Sequence, residues 1–478
     1  MSSGLLGIGR TALLTQQRAL QVVSQNIANA ETPGYSRQEA VLTANTPVRF
    51  PWGNLGTGVS IVDIARRRDQ LLDTAYRDNE GRAAGADSRR SLLAGIENIF
   101  GEPSDRGMST ALDQFWSSWS DLAANPSSSA ARNVVQQRGR QVGQLFNAYD
   151  RQLTSMRDQA IARVTNTVTQ VNDLAAQVAD LNGRILASEA GGQTAGDLRD
   201  ARDLAIDSLS TLIGASAVPN ADGTLSVTIA NATLVDNTTV RPITVQFEQP
   251  PAPPALVPAD LDLQLRLGTS ADPLPPVGGQ LGATMTVINS DIPDMRTRLD
   301  ALASAIAREV NTLHRTGFTF PTNVPPGVAA GDFFDPGTVA QPVTAATFKL
   351  VDAVDDDPGA IAASTNPNGP TANALALAMA QLKDKPNTVS FGGDSGTFLG
   401  FFRAGMTRVG LATSRAGEEA EAYKTLALQA ENRRQEVSGV NLDEELVSMM
   451  RFQQAYAAAA RLITTADEMM QTVLSLKQ

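Results

Sequence analysis

The chain has no cysteine among its 478 residues, which excludes disulfides, thiol catalysis and cysteine-ligated metals in any compartment. A single histidine, His314, is the one imidazole available for acid–base or metal chemistry. Aromatic residues make up only 5%, and the abundance of small and polar side chains favours long helices over a wide aromatic-filled core. No run of about 18 apolar residues occurs, so no membrane-spanning helix is expected. The opening MSSGLLGIGRTALLTQQRAL has no continuous apolar segment ahead of a small-residue cleavage site and does not read as a secretory signal peptide. The net charge of -11 argues against nucleic acid or an anionic membrane as partner, because both need a basic surface. Protein partners are expected instead.

What the chain does have is length and periodicity. Its size predicts two or three domains, and 42% hydrophobic with 19% charged residues predicts buried cores rather than disorder. Leu6, Leu13, Leu20 and Ile27 recur every seven residues with Val23 between the last two, one narrow apolar stripe on a helix that should stop before Pro33. Thr32-Pro33-Gly34-Tyr35 predicts a sharp turn, and residues 41–60 look extended. Helical pattern follows over 63–122, with interruptions expected near Gly81 to Gly85 and at Gly101-Glu102-Pro103. After Asn125-Pro126-Ser127, a longer helix carries Val164, Val171, Val178 and Ile185 in heptad register and ends at Gly191-Gly192.

Alternation at Leu225, Val227 and Ile229, and again at Leu261, Leu263, Leu265 and Leu267, predicts strands. The proline tract of residues 249–255 between them reads as a loop. Ile292, Leu299, Ile306 and Leu313 restore helical spacing. Residues 317–370 read as loops and strands, and helix resumes from about 371 with a break around Gly392 to Gly400. The last segment is the most regular: Met449, Tyr456, Ile463 and Met470 occupy one heptad position and Phe452, Ala459, Ala466 and Val473 another. A helix over 442–476 would be about 50 Å long at ~1.5 Å per residue, with a stripe too narrow for a membrane.

The expected fold is therefore α+β and multidomain, an elongated helical-bundle core from N- and C-terminal segments with an inserted small β domain. Residues 1–40 with 438–478 form a terminal coiled coil. Residues 41–215 with 286–316 and 371–437 form a discontinuous helical domain, 216–285 the β domain, and 317–370 an insertion that could belong to the outer domain. Two single-stripe helices at the termini should pair with each other or with neighbouring subunits.

Catalytic motifs carry little weight. Gly393-Asp394-Ser395-Gly396 resembles a serine-protease nucleophile motif, but that mechanism needs a histidine base and an orienting carboxylate, and His314 sits in a helical context. Asp355-Asp356-Asp357 lacks the alternation of a calcium loop and reads as a solvated turn. Gly4, Gly7 and Gly9 follow no strand and no Walker lysine, so no phosphate cradle is expected. No cofactor or metal is predicted.

The segment from Ala19 to Gln38, ALQVVSQNIANAETPGYSRQ, resembles the N-terminal signature shared by flagellar rod, hook and hook-associated proteins. Its continuation Gly34-Tyr35-Ser36-Arg37-Gln38 is similar to the hook-associated branch. Ser438-Gly-Val-Asn441-Leu-Asp443-Glu-Glu-Leu446, Phe452-Gln-Gln-Ala-Tyr456 and Thr464-Thr-Ala-Asp467-Glu-Met-Met470 resemble the terminal helix of the same branch. The resemblance implies a non-enzymatic structural subunit, exported uncleaved through the flagellar type III apparatus and forming a thin ring between hook and filament. Implied partners are other copies of itself, hook protein, a second junction protein (hook-associated protein 3) and through it the flagellin filament, and a cytoplasmic chaperone at the C-terminal region. Leu6, Leu13, Leu20, Val23, Ile27, Leu442, Met449, Phe452, Tyr456, Ile463, Met470 and Val473 are the expected assembly face. Asn26 and Asn29 could bond helix-end carbonyls or an adjacent subunit, and Tyr35 could anchor the turn against the terminal helix. A rod or hook subunit is the alternative, and a secreted hydrolase using Ser395 a distant one.

Overall fold

The computed structural model describes residues 2–248, 262–320, 324–339 and 341–475, with the side chains of 2, 3, 248, 473 and 474 excepted. The expected loop at 249–255, Leu261, and the Val473 side chain lie outside the described residues. The chain begins with α1 (Ser2–Ala28) and turns at Gly34, whose φ of 79° is open to glycine without strain. An antiparallel ribbon follows: β1 (Gln38–Ala44), β2 (Val48–Phe50), β3 (Gly53–Leu55) and β4 (Val59–Arg66), with β1 paired to β4 and β2 to β3.

Three long helices come next, α2 (Gln70–Phe100), α3 (Met108–Ala124) and α4 (Ser129–Glu189). Asp69 caps α2 by accepting from the Leu71 and Leu72 amides, and Ser128 caps α4 through the Ala131 amide. The α2 helix runs unbroken through Gly81 and Gly85, where an interruption was expected. Glycine serves close approach there rather than termination. A Cβ at Gly81 would lie 2.7 Å from the Ser210 carbonyl oxygen, and one at Gly85 2.9 Å from that of Gly279.

Helix α5 (Gly196–Ile213) leads into the sheet β5 (Ser216–Pro219), β6 (Leu225–Ile229), β7 (Ala232–Asp236) and β8 (Thr239–Val240), ordered as a meander, and a separate hairpin of β9 (Ile243–Glu248) with β10 (Asp262–Leu267). Helix α6 (Gly279–Thr286) then passes through a π-turn over Val287–Asp291 into α7 (Ile292–His314). Pro293 lacks the amide that would continue the ladder, which accounts for the wider turn before it. The remaining elements are β11 (Phe318–Thr319), β12 (Val328–Ala329), α8 (Asp352–Asp356), α9 (Ala374–Gln381), the hairpin β13 (Val389–Phe391) with β14 (Asp394–Gly396), and the closing helices α10 (Phe398–Ser438) and α11 (Leu442–Ser475).

Two apolar cores hold these elements. The larger gathers α2, α3, the first half of α4, α7, α9 and the start of α10. Residues of the 317–370 segment are part of it: Phe333, Phe334 and Phe348 are fully buried, and Phe334 and Phe348 stand 4.4 Å apart between ring centroids. The smaller core joins the second half of α4 and α5 to the inward faces of the strands. Helix α4 therefore serves both, with Val135 to Leu153 in one and Ala160 to Ala179 in the other. The π-turn changes cores over one residue, Val287 facing the first and Ile288 the second.

Substituting Gly81→Val is expected to force α2 away from α5 and cost about 1–3 kcal/mol despite the better helix propensity of valine. A lower urea midpoint for the full chain checks this.

Candidate assembly interface

The two terminal helices lie antiparallel. At one end Gly9 faces Ile463 so closely that a Cβ on Gly9 would stand 2.8 Å from Ile463 Cγ1, and at the other Asn26 Nδ2 donates to Glu445 Oε2 at 3.0 Å. The α11 stripe expected from the heptads faces this contact: Ala459 and Ala466 are buried, and Met449, Phe452, Tyr456, Ile463 and Met470 are half-buried. On α1 the buried line runs through Thr15, Ala19, Val22, Val23 and Asn26, rotated from the expected one. Leu6, Leu13, Leu20 and Ile27 flank it and stay half-exposed. Leu442 is half-exposed at 50%. Small side chains sit at the centre of the pair because they let the helices approach, and the larger ones form its shoulders.

A polar clasp closes the end of the pair. Asn26 uses its whole hydrogen-bonding capacity: Oδ1 accepts from the Tyr35 hydroxyl at 2.9 Å and the Gln38 amide at 3.0 Å, and Nδ2 donates to the Gln38 carbonyl at 2.9 Å and to Glu445. Arg37 pairs with Glu445 at 2.8 Å and with Glu444 at 2.6 Å, and its amide donates to the Ser438 carbonyl. Burial, with Asp197, Asp200 and Glu445 nearby, pushes the Tyr35 phenol above its ordinary value, so it remains a donor. Asn29 acts locally, donating to the Gln25 carbonyl at 3.0 Å near the helix end.

Behind the clasp lies a buried charge cluster. Asp200 accepts from the Ser36 hydroxyl at 2.7 Å and the Ser36 amide at 3.0 Å. Arg66 binds Asp203 at 2.7 Å, Arg68 binds Asp73 at 2.7 Å, Arg77 binds Asp207 at 2.6 Å, and Arg434 binds Asp207 at 2.8 Å with its guanidinium 4.1 Å from the centroid of the Tyr76 ring. Burial alone would raise the Asp203 carboxyl, but Arg68, Arg66 and Arg77 outweigh it and hold it below its ordinary value. Asp200 goes the other way, because burial outweighs Arg66 and Ser36. A cleft of about 440 Å³ opens beside the cluster, walled by Pro33, Tyr35, Tyr76, Leu204 and Glu431.

Of the expected site residues, Asn26 and Tyr35 meet in the clasp. Ser36, Arg37, Gln38, Asp200, Asp203 and Glu445 were not singled out, although the first three stand inside the quoted Gly34–Gln38 word. Their alternation of short polar and charged groups directly after a turn was the available signal. The catalytic alternative loses its base: His314 is fully buried, with Nδ1 2.7 Å from the Gly331 carbonyl and Nε2 accepting from the Ala362 amide at 3.1 Å. Both ring nitrogens are thus committed to backbone. Asp394, next to Ser395, pairs with Arg298 and Arg408.

The pattern of family matches follows this architecture. The model for the flagellar hook-associated protein FlgK helical domain matches residues 93–334, just over half of the chain. Models for the flagella basal body rod protein and the flagellar basal body rod FlgEFG protein C-terminal match the two ends, 6–35 and 432–476. Flagellar hook-associated protein 1 of Bacillus subtilis is 30% identical over 517 aligned positions, covering 99% of each chain. The chain belongs to the flagellar hook-associated protein 1 family. The Escherichia coli member is 23% identical, over 99% of this chain and 100% of its own length. A solved structure of the flagellar hook junction protein FlgK from Burkholderia pseudomallei has the same fold, with a TM-score of 0.64 at 17% identity over 76% of this chain and all of that one. Within this hook-associated protein 1 family member, the clasp sits where the two rod-like ends meet.

Replacing Asn26→Ala leaves the Gln38 backbone and the buried Glu445 short of partners, a cost of about 2–3 kcal/mol. Faster tryptic cutting at Arg10 and Arg18 than in the wild type is the expected readout. The Asp203 contribution, from a depressed carboxyl, is complete above the ordinary value near about 4 and is lost as pH falls through the lower folded value. Asp203→Asn should therefore cost about 3 kcal/mol at neutral pH, with the gap to wild type narrowing below about pH 4 in urea midpoints.

Proposed function

We propose that the chain is a structural subunit of the bacterial flagellum that joins hook to filament. Full-length membership in the hook-associated protein 1 family supports this, and the observation that carries it is the clasp. The clasp and α1–α11 unite residues more than 400 positions apart into one rod-like end with half-exposed apolar shoulders. Such shoulders gain stability when neighbours cover them. The assembly face comprises Leu6, Leu13, Leu20, Ile27, Met449, Phe452, Tyr456, Ile463 and Met470, with Leu442 at one end. Copies associate in a ring, with hook protein on one side and hook-associated protein 3 and the filament on the other.

The same reading gives uncleaved export through the type III apparatus, a brief cytoplasmic stage with a chaperone on the C-terminal region, and no catalytic role. It divides the chain into the terminal pair (1–40 with 438–478), the helical domain (41–215, 286–316 and 371–437), the β domain (216–285) and the 317–370 insertion. The helical-domain match over 93–334 favours this reading over a rod or hook subunit.

Expression in a bacterium lacking its own junction protein tests the proposal. Attached filaments and restored swimming are expected; flagellin shed into the medium despite export of the chain would overturn it. In the same strain Ile463→Asp places a charge in the α1–α11 contact at a cost of several kcal/mol and should reduce incorporation and raise shedding.

A further inference from the structure

The ribbon between the clasp and α2 ends in an apolar tip that nothing among the described residues covers. In the β2–β3 pair, Val48 stands opposite Leu55 and Phe50 opposite Gly53, so Val48, Phe50 and Leu55 share one face. Trp52 stacks on Phe50 with ring centroids 4.9 Å apart and planes 13° from parallel. All four are exposed, Trp52 at 74%. A two-stranded hairpin is marginal alone, and an exposed apolar patch with a polar rim marks a binding surface. Arg49 is the only charged residue between positions 40 and 62.

The stem of the ribbon is fixed. Gln38 is held by Asn26, the Val59 carbonyl accepts from the Thr15 hydroxyl at 3.0 Å, and Gly58 lies against Thr11 and Ile8. The ribbon thus follows α1 towards its N-terminus, and the β2–β3 tip continues from the Asn45–Gly58 end of the stem, which lies level with Ile8 and Thr11.

A second uncovered patch lies at the other end of the pair. Leu442, Leu446 and Met450 are 50%, 50% and 55% exposed, and their i, i+4, i+8 spacing places them along one side of α11. Asp443 beside them is exposed and takes no ion pair among the described residues. This patch adjoins Asn26 through Glu445, and Ile8 to Asn26 is about 27 Å along the helix. The tip cannot reach the patch in its own chain.

We propose that the β2–β3 tip of one copy docks on the first three turns of α11 in the next, with Phe50 and Trp52 against Leu442, Leu446 and Met450. Arg49, on the other face of a ribbon only two strands wide, reaches round to Asp443. Two different patches on one chain make a head-to-tail contact, which propagates around a ring rather than closing as a pair. This rests on the ring reading above and adds to it a specific cross-subunit grip.

The absence of native cysteine makes the test clean. A full-length chain carrying Trp52→Cys and Met450→Cys is expressed as the only junction protein, and isolated flagella are oxidised with copper phenanthroline and blotted for the chain. A cross-linked ladder extending beyond the dimer is expected, with none from either single variant. Attached filaments with only monomeric chain would overturn the contact while leaving the junction role intact. Shedding by the unsubstituted chain would remove the junction role and the proposal with it. As a second measurement, Arg49→Asp should raise shed flagellin about threefold and Asp443→Arg combined with it should restore retention; equal shedding by wild type and Arg49→Asp would overturn the grip.

Discussion

The molecule depends on Asn26. Its amide has two donors and two acceptor sites, and all four are used within a few ångströms by groups from three different parts of the chain. A narrow-stripe helix has little reason to hold one azimuth against its partner, because sliding or rotating it costs only small apolar contacts. A fully satisfied polar group buried at the end of the pair removes that freedom, since any other arrangement leaves buried donors and acceptors unpaired. The clasp also sets where the β1–β4 ribbon departs, because the Gln38 backbone is bound on both its polar atoms by the same side chain.

Charge does for the next layer what the amide does for the termini. Arg66, Arg68, Arg77 and Arg434 come from the ribbon, its link to α2, α2 and α10, and they converge on carboxylates contributed mainly by α5. Guanidinium groups suit such a site because they stay charged and bind several acceptors in fixed directions. Buried ion pairs add little net stability over apolar packing, but losing one partner is costly. The cluster therefore specifies one relative placement of four elements rather than supplying most of the folding energy. That energy comes from the two apolar cores.

Periodicity made the long elements legible. The heptads of 164–185, 292–313 and 449–473 and the alternation at 225–229 mark α4, α7, α11 and β6 because burial selects side chains at the repeat of the element. Glycine misled the reading at Gly81 and Gly85, where a residue that usually breaks helices instead lets two backbones touch. The α1 stripe was misplaced by about one residue because a glycine, Gly9, rather than a leucine makes the close approach to α11, and Thr15 is buried against β4. The charge cluster was invisible for another reason: its members are spread from Ser36 to Arg434, and single acids and bases carry no spacing signal across such separations. Asn26 and Tyr35 were picked out from a motif whose three-dimensional sense lies in the neighbouring Ser36, Arg37 and Gln38.

Helix α4 has 61 residues and is about 90 Å long at ~1.5 Å per residue. Two globular units are usually joined by a linker that bends before either of them is strained. Here the joint is the interior of a continuous hydrogen-bonded spine whose side chains are already committed on both sides of it. Load passing between the two cores has this spine as one route and, as another, the seam where Gly81 and Gly85 bring α2 against α5 and Gly279.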